Sequence, residues 1–357
     1  MSQYLVLSHI DIQNANSIAG LTWGFPAITH FLGFTHALNR KISSAYQGDY
    51  DTTLAGCAVI AHNFQNKVYK PKKYADFEFL QSKNPPVLAI HKNSSPPIIE
   101  EGKMNLTLSL VIELDQSLVL NTELIKQLEE QVLTLCYQMR LAGGTILNIK
   151  QVKLLSASTQ EQHVNMLRKI KRLTLPGFAL LDRNSYLKAH YQKLVAQHNN
   201  EENPQEKPQL LDAWLDFAAL KSKAIPQTKD LCNTLDENTP ATWEYISKPF
   251  SGYLVPLMTG YKAISEVYAA AVVLNTRDQI TPSCFVEAIH SIGEWKGMHS
   301  INDVRSIIWR YQQEGPWYLC KQDVDAEIGD AKTTEPNEPN ETNETQTLNF
   351  NDALNFF

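Results

Sequence analysis

Apolar positions change their period several times along the chain, and each change marks an element. Near the start, Leu5, Leu7, Ile10 and Ile12 sit in a short run with β-branched residues that reads as a strand buried on at least one face. The polar cluster Gln13, Asn14, Asn16 and Ser17 predicts its end. After Thr22, Trp23, Gly24, Phe25 and Pro26 the period becomes helical. Ile28, Phe31, Leu32, Thr35, Leu38 and Ile42 share one face, with proline suited to a first helical position and Arg40 and Lys41 near the negative end of the dipole. Residues 53–60 read as a second strand, and 104–114 as a third, with Met104, Leu106, Leu108 and Leu110 on one face. Thr122 opens a helix whose Leu124, Leu128, Val132, Leu135 and Met139 make a stripe ending at Arg140. Gly143 and Gly144 predict its stop, and 145–149 a fourth strand. The order is βαββαβ, the split βαβ or ferredoxin-like arrangement of an α+β fold.

Downstream, the pattern is mixed. Residues 160–172 read as a helix with Val164, Leu167, Ile170 and Leu173 inside, and 175–181 as a turn into a strand. A helix is expected from 184 to 197, an exposed linker at 199–208, another helix at 210–219 and a loop-rich stretch at 222–240. Trp243, Tyr245 and Ile246 alternate, 252–257 reads as a paired strand, and two short helices are expected around Val286 and Ile307. The organisation expected is therefore a palm at 1–155 with an insertion at 62–99, a mixed helical and strand region at 156–322, and a tail at 323–357.

Composition narrows the picture. A length of 357 residues fits one large or two moderate domains, and 43% hydrophobic residues suffice for a sizeable core. No apolar run reaches the roughly 18 residues of a membrane span, and the N-terminus lacks a signal pattern, so a cytoplasmic protein that meets no membrane is expected. The five cysteines are scattered, odd in number and without a CxxC pair, which argues against a disulfide framework or a zinc site. The net charge of −6 hides an asymmetry: the tail holds nine acidic residues against one lysine, which leaves residues 1–322 at about +2. Such a tail cannot bury enough apolar surface to order itself and is expected to be disordered.

Two basic stretches stand out. The insertion interleaves Lys67, Lys70, Lys72 and Lys73 with Tyr69, Tyr74, Phe77 and Phe79, the ammonium groups and flat rings that single-strand binding uses. Arg168, Lys169, Lys171 and Arg172 crowd one helix end, where four cations repel one another unless anions lie nearby. Enzymatic signatures are sparse. The sequence has no phosphate loop, no GxGxxG, no HExxH and no GxSxG, so no cofactor or metal is implied. His9, His30 and His36 are the candidates for acid–base cleavage of RNA.

Several blocks together carry a resemblance. The opening IDIQNANSIAGLTWGFPAITHFLGFTHAL is followed in order by IIEEGKMNLTLSL, QMRLAGGTIL, KRLTLPGFALLDR, SGYLVPLMTGYKAIS, LNTRD and IGEW. They resemble the second Csy subunit of type I-F CRISPR surveillance complexes, a Cas-five family within the repeat-associated (RAMP) superfamily. The resemblance spans about residues 4–320 and leaves out 199–240 and the tail. It implies an RNA-recognition-like palm with a β-hairpin thumb at 62–99. It also implies a non-catalytic role, holding the 5′ handle of the CRISPR RNA (crRNA). The implied partners are the large (Cas-eight-type) subunit and an adjacent backbone (Cas-seven-type) subunit, with target DNA met through the complex. Carried over block by block, it implicates Gln13, Asn14, Asn16, Arg140, Gly143, Gly144, Lys171, Arg172 and Arg277, and Trp23, the tryptophan of the opening loop, is a further RNA-binding candidate. Arg168, Lys169 and the insertion lysines come from charge alone. Two alternatives stand beside this reading: an endoribonuclease of repeat RNA on the same fold, and a pure scaffold subunit.

Overall fold

A computed structural model describes residues 2–45, 53–80, 101–200, 206–226, 240–276 and 278–323. The chain forms an α+β structure with a large, mainly antiparallel sheet and five α-helices among the described residues. It divides into two compact units. One comprises Met1–Leu180, Met258–Ile289 and the chain from Lys296 onward; the other comprises Leu181–Leu257 and His290–Trp295.

The first unit is built on β1 (Ser2–Asn16), α1 (Ile28–Ala45), β2 (Leu54–Asn66), β3 (Lys103–Leu114), α2 (Thr122–Tyr137), β4 (Gly144–Ala157) and α3 (Gln160–Thr174). Its strands lie in the order β2-β3-β1-β4, and every neighbouring pair is antiparallel. Register explains the burial. Leu5 faces Ile112 and Leu154 across the ladders, and Leu7 faces Leu110 and Val152, so these residues share a face. Cys57, opposite Ile112, interacts with Thr35 of α1 on that face, and burial pushes its thiol up to about 12. Tyr4 lies on the other face, in a cleft it shares with Met166 and Leu167 of α3. From Gln3 to Ser8 consecutive residues are buried, as a strand covered on both sides must be. Beyond Ile10 the pattern alternates, with Ile10 and Ile12 buried, Asp11 partly exposed and Gln13 exposed. Half of the second face is therefore open.

The helical face of α1 is as expected: Ile28, Phe31, Leu32, Thr35, Leu38 and Ile42 are all buried. Five expectations need correction. β1 does not stop at the amide cluster but runs through it. Two bulges absorb the irregularity, at His9 (φ 48°) and Asn14 (φ 59°), residue types that tolerate the left-handed region. β2 continues to Asn66, so residues 63–66, assigned to the insertion, are paired with β3 after an irregularity at His62. α2 ends at Tyr137, and Gly143 and Gly144 do not stop it. Arg140–Leu141 instead turns back onto Gly144–Thr145 through Ala142 (φ 50°) and Gly143 (φ 76°), a tight hairpin that needs two positive φ angles. In α3 the buried residues are Met166, Ile170 and Thr174, while Val164 sits exposed at the rim of the Tyr4 cleft. Around Val286 there is no helix but a strand. Val286, Ile289, Ile292 and Trp295 are spaced by three and mimic a helical stripe.

The remaining elements are β5 (Phe178–Asp182), α4 (Asn184–Asn199), α5 (Leu210–Ala218), β6 (Ser222–Pro226), β7 (Ala241–Tyr245), β8 (Tyr253–Ala263), β9 (Val286–Gly297), β10 (Trp309–Glu314) and β11 (Trp317–Gln322). They extend the sheet in the order β5-β9-β8-β11-β10-β2. A single 3-10 turn, Arg305–Ile307, stands where the second short helix is expected. In the second unit Leu187, Ala213, Phe217, Leu254 and Ile292 form the core. The stretch expected to be loop-rich holds β6, paired with β7; residues 227–239 lie outside the described residues. So do 81–100 of the insertion, 201–205 of the expected linker and the tail beyond Asp323.

Candidate nucleic-acid interface

Polar residues of β1, β3 and β4 alternate with the apolar ones that build the core, so they must collect on the open face. Asp11 is opposite Thr107 on one side and Asn148 on the other, and Thr107 is in turn opposite Asn63. Thr107 Oγ1 donates to Asp11 Oδ1 at 2.7 Å, and Asn148 Nδ2 donates to Asp11 Oδ2 at 3.4 Å. One end of this strip is the bulge at His9. There His9 and His62 stack with ring centroids 3.9 Å apart and an interplanar angle of 6°. His62 Nδ1 lies 2.6 Å from Pro176 O, and a carbonyl only accepts, so Nδ1 carries the proton. Nε2 then accepts from Ser109 Oγ at 2.6 Å, and Ser109 Oγ accepts from His9 N. Burial foremost holds the His62 ring down to about 4, and burial also lowers His9.

The other end is the Asn14 bulge. The Asn14 amide N–H donates to Asn105 Oδ1 at 3.2 Å, and Lys67 Nζ donates to Asn14 Oδ1. The hairpin at 142–143 meets this end directly: Asn16 N donates to Ala142 O at 2.8 Å. A Cβ on Gly144 would fall 2.8 Å from both Gln13 O and Ala15 N, so only glycine lets the two backbones approach this closely. Arg140 Nη1 lies 3.4 Å from Gly143 O and remains exposed. Gln13, Asn14, Asn16, Arg140, Gly143, Gly144 and Lys67 are thus brought together. Asn16 spends its side chain on Ile18, accepting from its N–H and donating to its carbonyl, and so starts the small hairpin that carries Trp23.

Trp23 packs on Phe79 with centroids 4.7 Å apart, at the root of a second small hairpin in which Val68–Tyr69 pairs with Glu78–Phe79. Lys70 lies over the Phe77 ring at 5.2 Å and Lys73 over Tyr74 at 5.6 Å. Lys72 is exposed. The basic cluster of α3 stands apart from the Asn14 end. Leu173, next to it, accepts from Ser8 Oγ at 2.6 Å, which fixes the helix end halfway along β1. At about 3.3 Å per residue, Ser8 to Asn14 is roughly 20 Å. Lys171 Nζ donates to His299 O at 2.8 Å, whereas Arg168, Lys169 and Arg172 are exposed. What joins the two ends is the strip Asp11–Thr107–Asn148, with exposed Lys150 and Asn63 beside it.

Comparison with known proteins decides the family. A family model described as "CRISPR-associated protein (Cas_Csy2)" matches residues 5–320. The chain belongs to the Csy2 family. It is similar to the CRISPR-associated protein Csy2 of Pseudomonas aeruginosa (strain UCBPP-PA14). The two are 32% identical over 322 residues, covering 87% of this chain and 91% of the relative. The match to the Csy2 family spans every site residue considered above. Arg277 lies outside the described residues. The strip itself is absent from the sequence-derived site, although Lys103, Asn105, Thr107 and Ser109 alternate in plain view with Met104, Leu106, Leu108 and Leu110. Among the described residues, no group of three or more His, Cys, Asp or Glu is placed to hold a metal. No helix among them is long and apolar enough to cross a membrane.

Proposed function

We propose that this Csy2-family chain is a non-catalytic, RNA-binding subunit of a type I-F CRISPR surveillance complex in the cytoplasm. In this reading it holds the 5′ handle of the crRNA, pairs with the large subunit and lies beside the first backbone subunit. The observation that carries it is the continuous polar strip on one sheet face, which has cations at both ends and, among the described residues, no helix over its middle. The order β2-β3-β1-β4 with antiparallel neighbours is what an RNA-recognition palm of the split βαβ type would have. We read the insertion that follows Asn66 as its thumb, with Phe79 packed on Trp23 at its root. Phosphates would meet Lys67 and Arg140 at the Asn14 end and Lys150, Arg168, Lys169 and Arg172 toward the His9 end.

The histidines argue against an endoribonuclease. His62 has both ring nitrogens engaged, and the Ser8 hydroxyl proton goes to Leu173 O, so His9 Nδ1 donates to Ser8 and the pair keeps a single ring nitrogen, His9 Nε2, where acid–base cleavage needs a separate acid and base. His30 and His36 belong to α1, over the opposite face. Incubating the full chain with repeat RNA should therefore give salt-dependent binding and intact RNA. A specific cut abolished by His9→Ala would overturn this function.

A further inference from the structure

The strip that joins the two cationic ends has a carboxylate at its centre, on β1, the strand that neighbours both β3 and β4. A phosphate passing close to Asp11 would be repelled, so RNA on this face must turn another part of itself toward it. Asp11 takes one hydrogen bond on each oxygen, from Thr107 on Oδ1 and from Asn148 on Oδ2. An ionised carboxylate has about four acceptor sites, so each oxygen keeps capacity for a donor arriving from solvent. Thr107 and Asn148 meanwhile fix its orientation from both neighbouring strands. The sugar edge of RNA carries one such donor, the ribose 2′-OH, and DNA lacks it. We propose that Asp11, held by Thr107 and Asn148, accepts a hydrogen bond from a ribose 2′-OH and is the residue by which this subunit tells RNA from single-stranded DNA. This rests on the RNA-binding reading above. Lys67, Lys150 and the α3 cluster would attract either nucleic acid, since phosphate contacts carry no such distinction. A face lined by amides, a hydroxyl and a carboxylate, with no aromatic ring among Asp11, Asn63, Asn105, Thr107 and Asn148, is also suited to reading sugar rather than stacking bases.

The test compares three oligomers of one length, oligo(rA), oligo(dA) and fully 2′-fluoro oligo(rA), bound to the full chain at low salt. Fluorine keeps the RNA-like sugar shape and an acceptor but removes the donor. Wild type is expected to bind oligo(rA) about tenfold or more tightly than either analogue, the scale of a hydrogen bond to a charged group. Asp11→Asn keeps the shape and removes the charge, so the preference should fall to about twofold, with binding of oligo(dA) rising and the melting temperature unchanged. Equal affinity of wild type for oligo(rA) and its 2′-fluoro form, or an undiminished preference in Asp11→Asn, overturns the role of Asp11 and leaves RNA binding intact. No binding of any oligomer would instead overturn the reading on which it rests.

Discussion

At the scale of single residues, the open face is held in shape by groups that must stay neutral or small. His62 has a folded-state pKa of about 4, below the ordinary histidine value near 6.5. The unfolded chain therefore binds the proton more readily, so stability is full above about pH 6.5 and is lost as pH falls toward 4. Urea unfolding at pH 7.5 and pH 5 should show that loss, and His62→Asn should shrink it. An unchanged drop would mean that other groups cause it. The glycines differ in kind. Gly144→Ala pushes a Cβ into the Gln13 and Ala15 backbone and should cost about 1–3 kcal/mol. Gly143→Ala has open space around it and only its φ of 76° to contend with, so it should cost roughly 1–2 kcal/mol. If denaturation ranks them the other way, the close approach of the hairpin to β1 is not what positions this end of the strip.

At the scale of elements, α3 matters most to the proposed site. Its start is fixed by a capping box, in which Thr159 accepts from Gln162 N and Gln162 answers the Thr159 amide. Thr159→Ala should therefore cost about 1 kcal/mol, read as a lower melting temperature. Its end carries the cations. Replacing Arg168, Lys169, Lys171 and Arg172 by alanine should flatten the log–log salt dependence of RNA binding by about 2–3, the yield of three or four lost single-strand phosphate contacts. Replacing Lys321, which pairs with Glu314 at 3.0 Å, should leave the slope alone. Equal effects would make the α3 cluster an ordinary solvated face. Elements with a clean period were legible from the sequence: α1, the start of α2, β3 and the extent of α3. The misreadings share a cause, which is that local pattern does not encode pairing. Gln13, Asn14 and Asn16 look like a loop because their amides are polar, yet the ladder carries them once His9 and Asn14 bulge. Val286, Ile289 and Ile292 look helical because a spacing of three fits a helix, while neighbouring strands hold them extended. The strip was hidden differently. Each polar residue of β3 was visible, but Asp11, Thr107 and Asn148 become one site only through register, which a single strand does not reveal.

At the scale of the whole molecule, charge is divided along the chain. Removing residues 323–357, which carry −8, leaves a chain at about +2. A chain ending at Gln322 should associate with RNA faster at low salt, with the difference closing as salt rises. If such a chain no longer assembles with the large subunit, the tail is a docking segment instead. The proposed handle-holding role also requires that the polar strip, the hairpin end near Asn14 and the α3 cluster act together on one strand. The most direct test is to express the chain with the large subunit and a CRISPR array, purify the assembly and footprint the RNA it retains. The proposed function predicts uncleaved 5′-handle RNA protected by this subunit, with protection weakened by the fourfold alanine variant of α3. Recovery of the assembly with no RNA against this chain, or with RNA cut by it, would contradict the proposal.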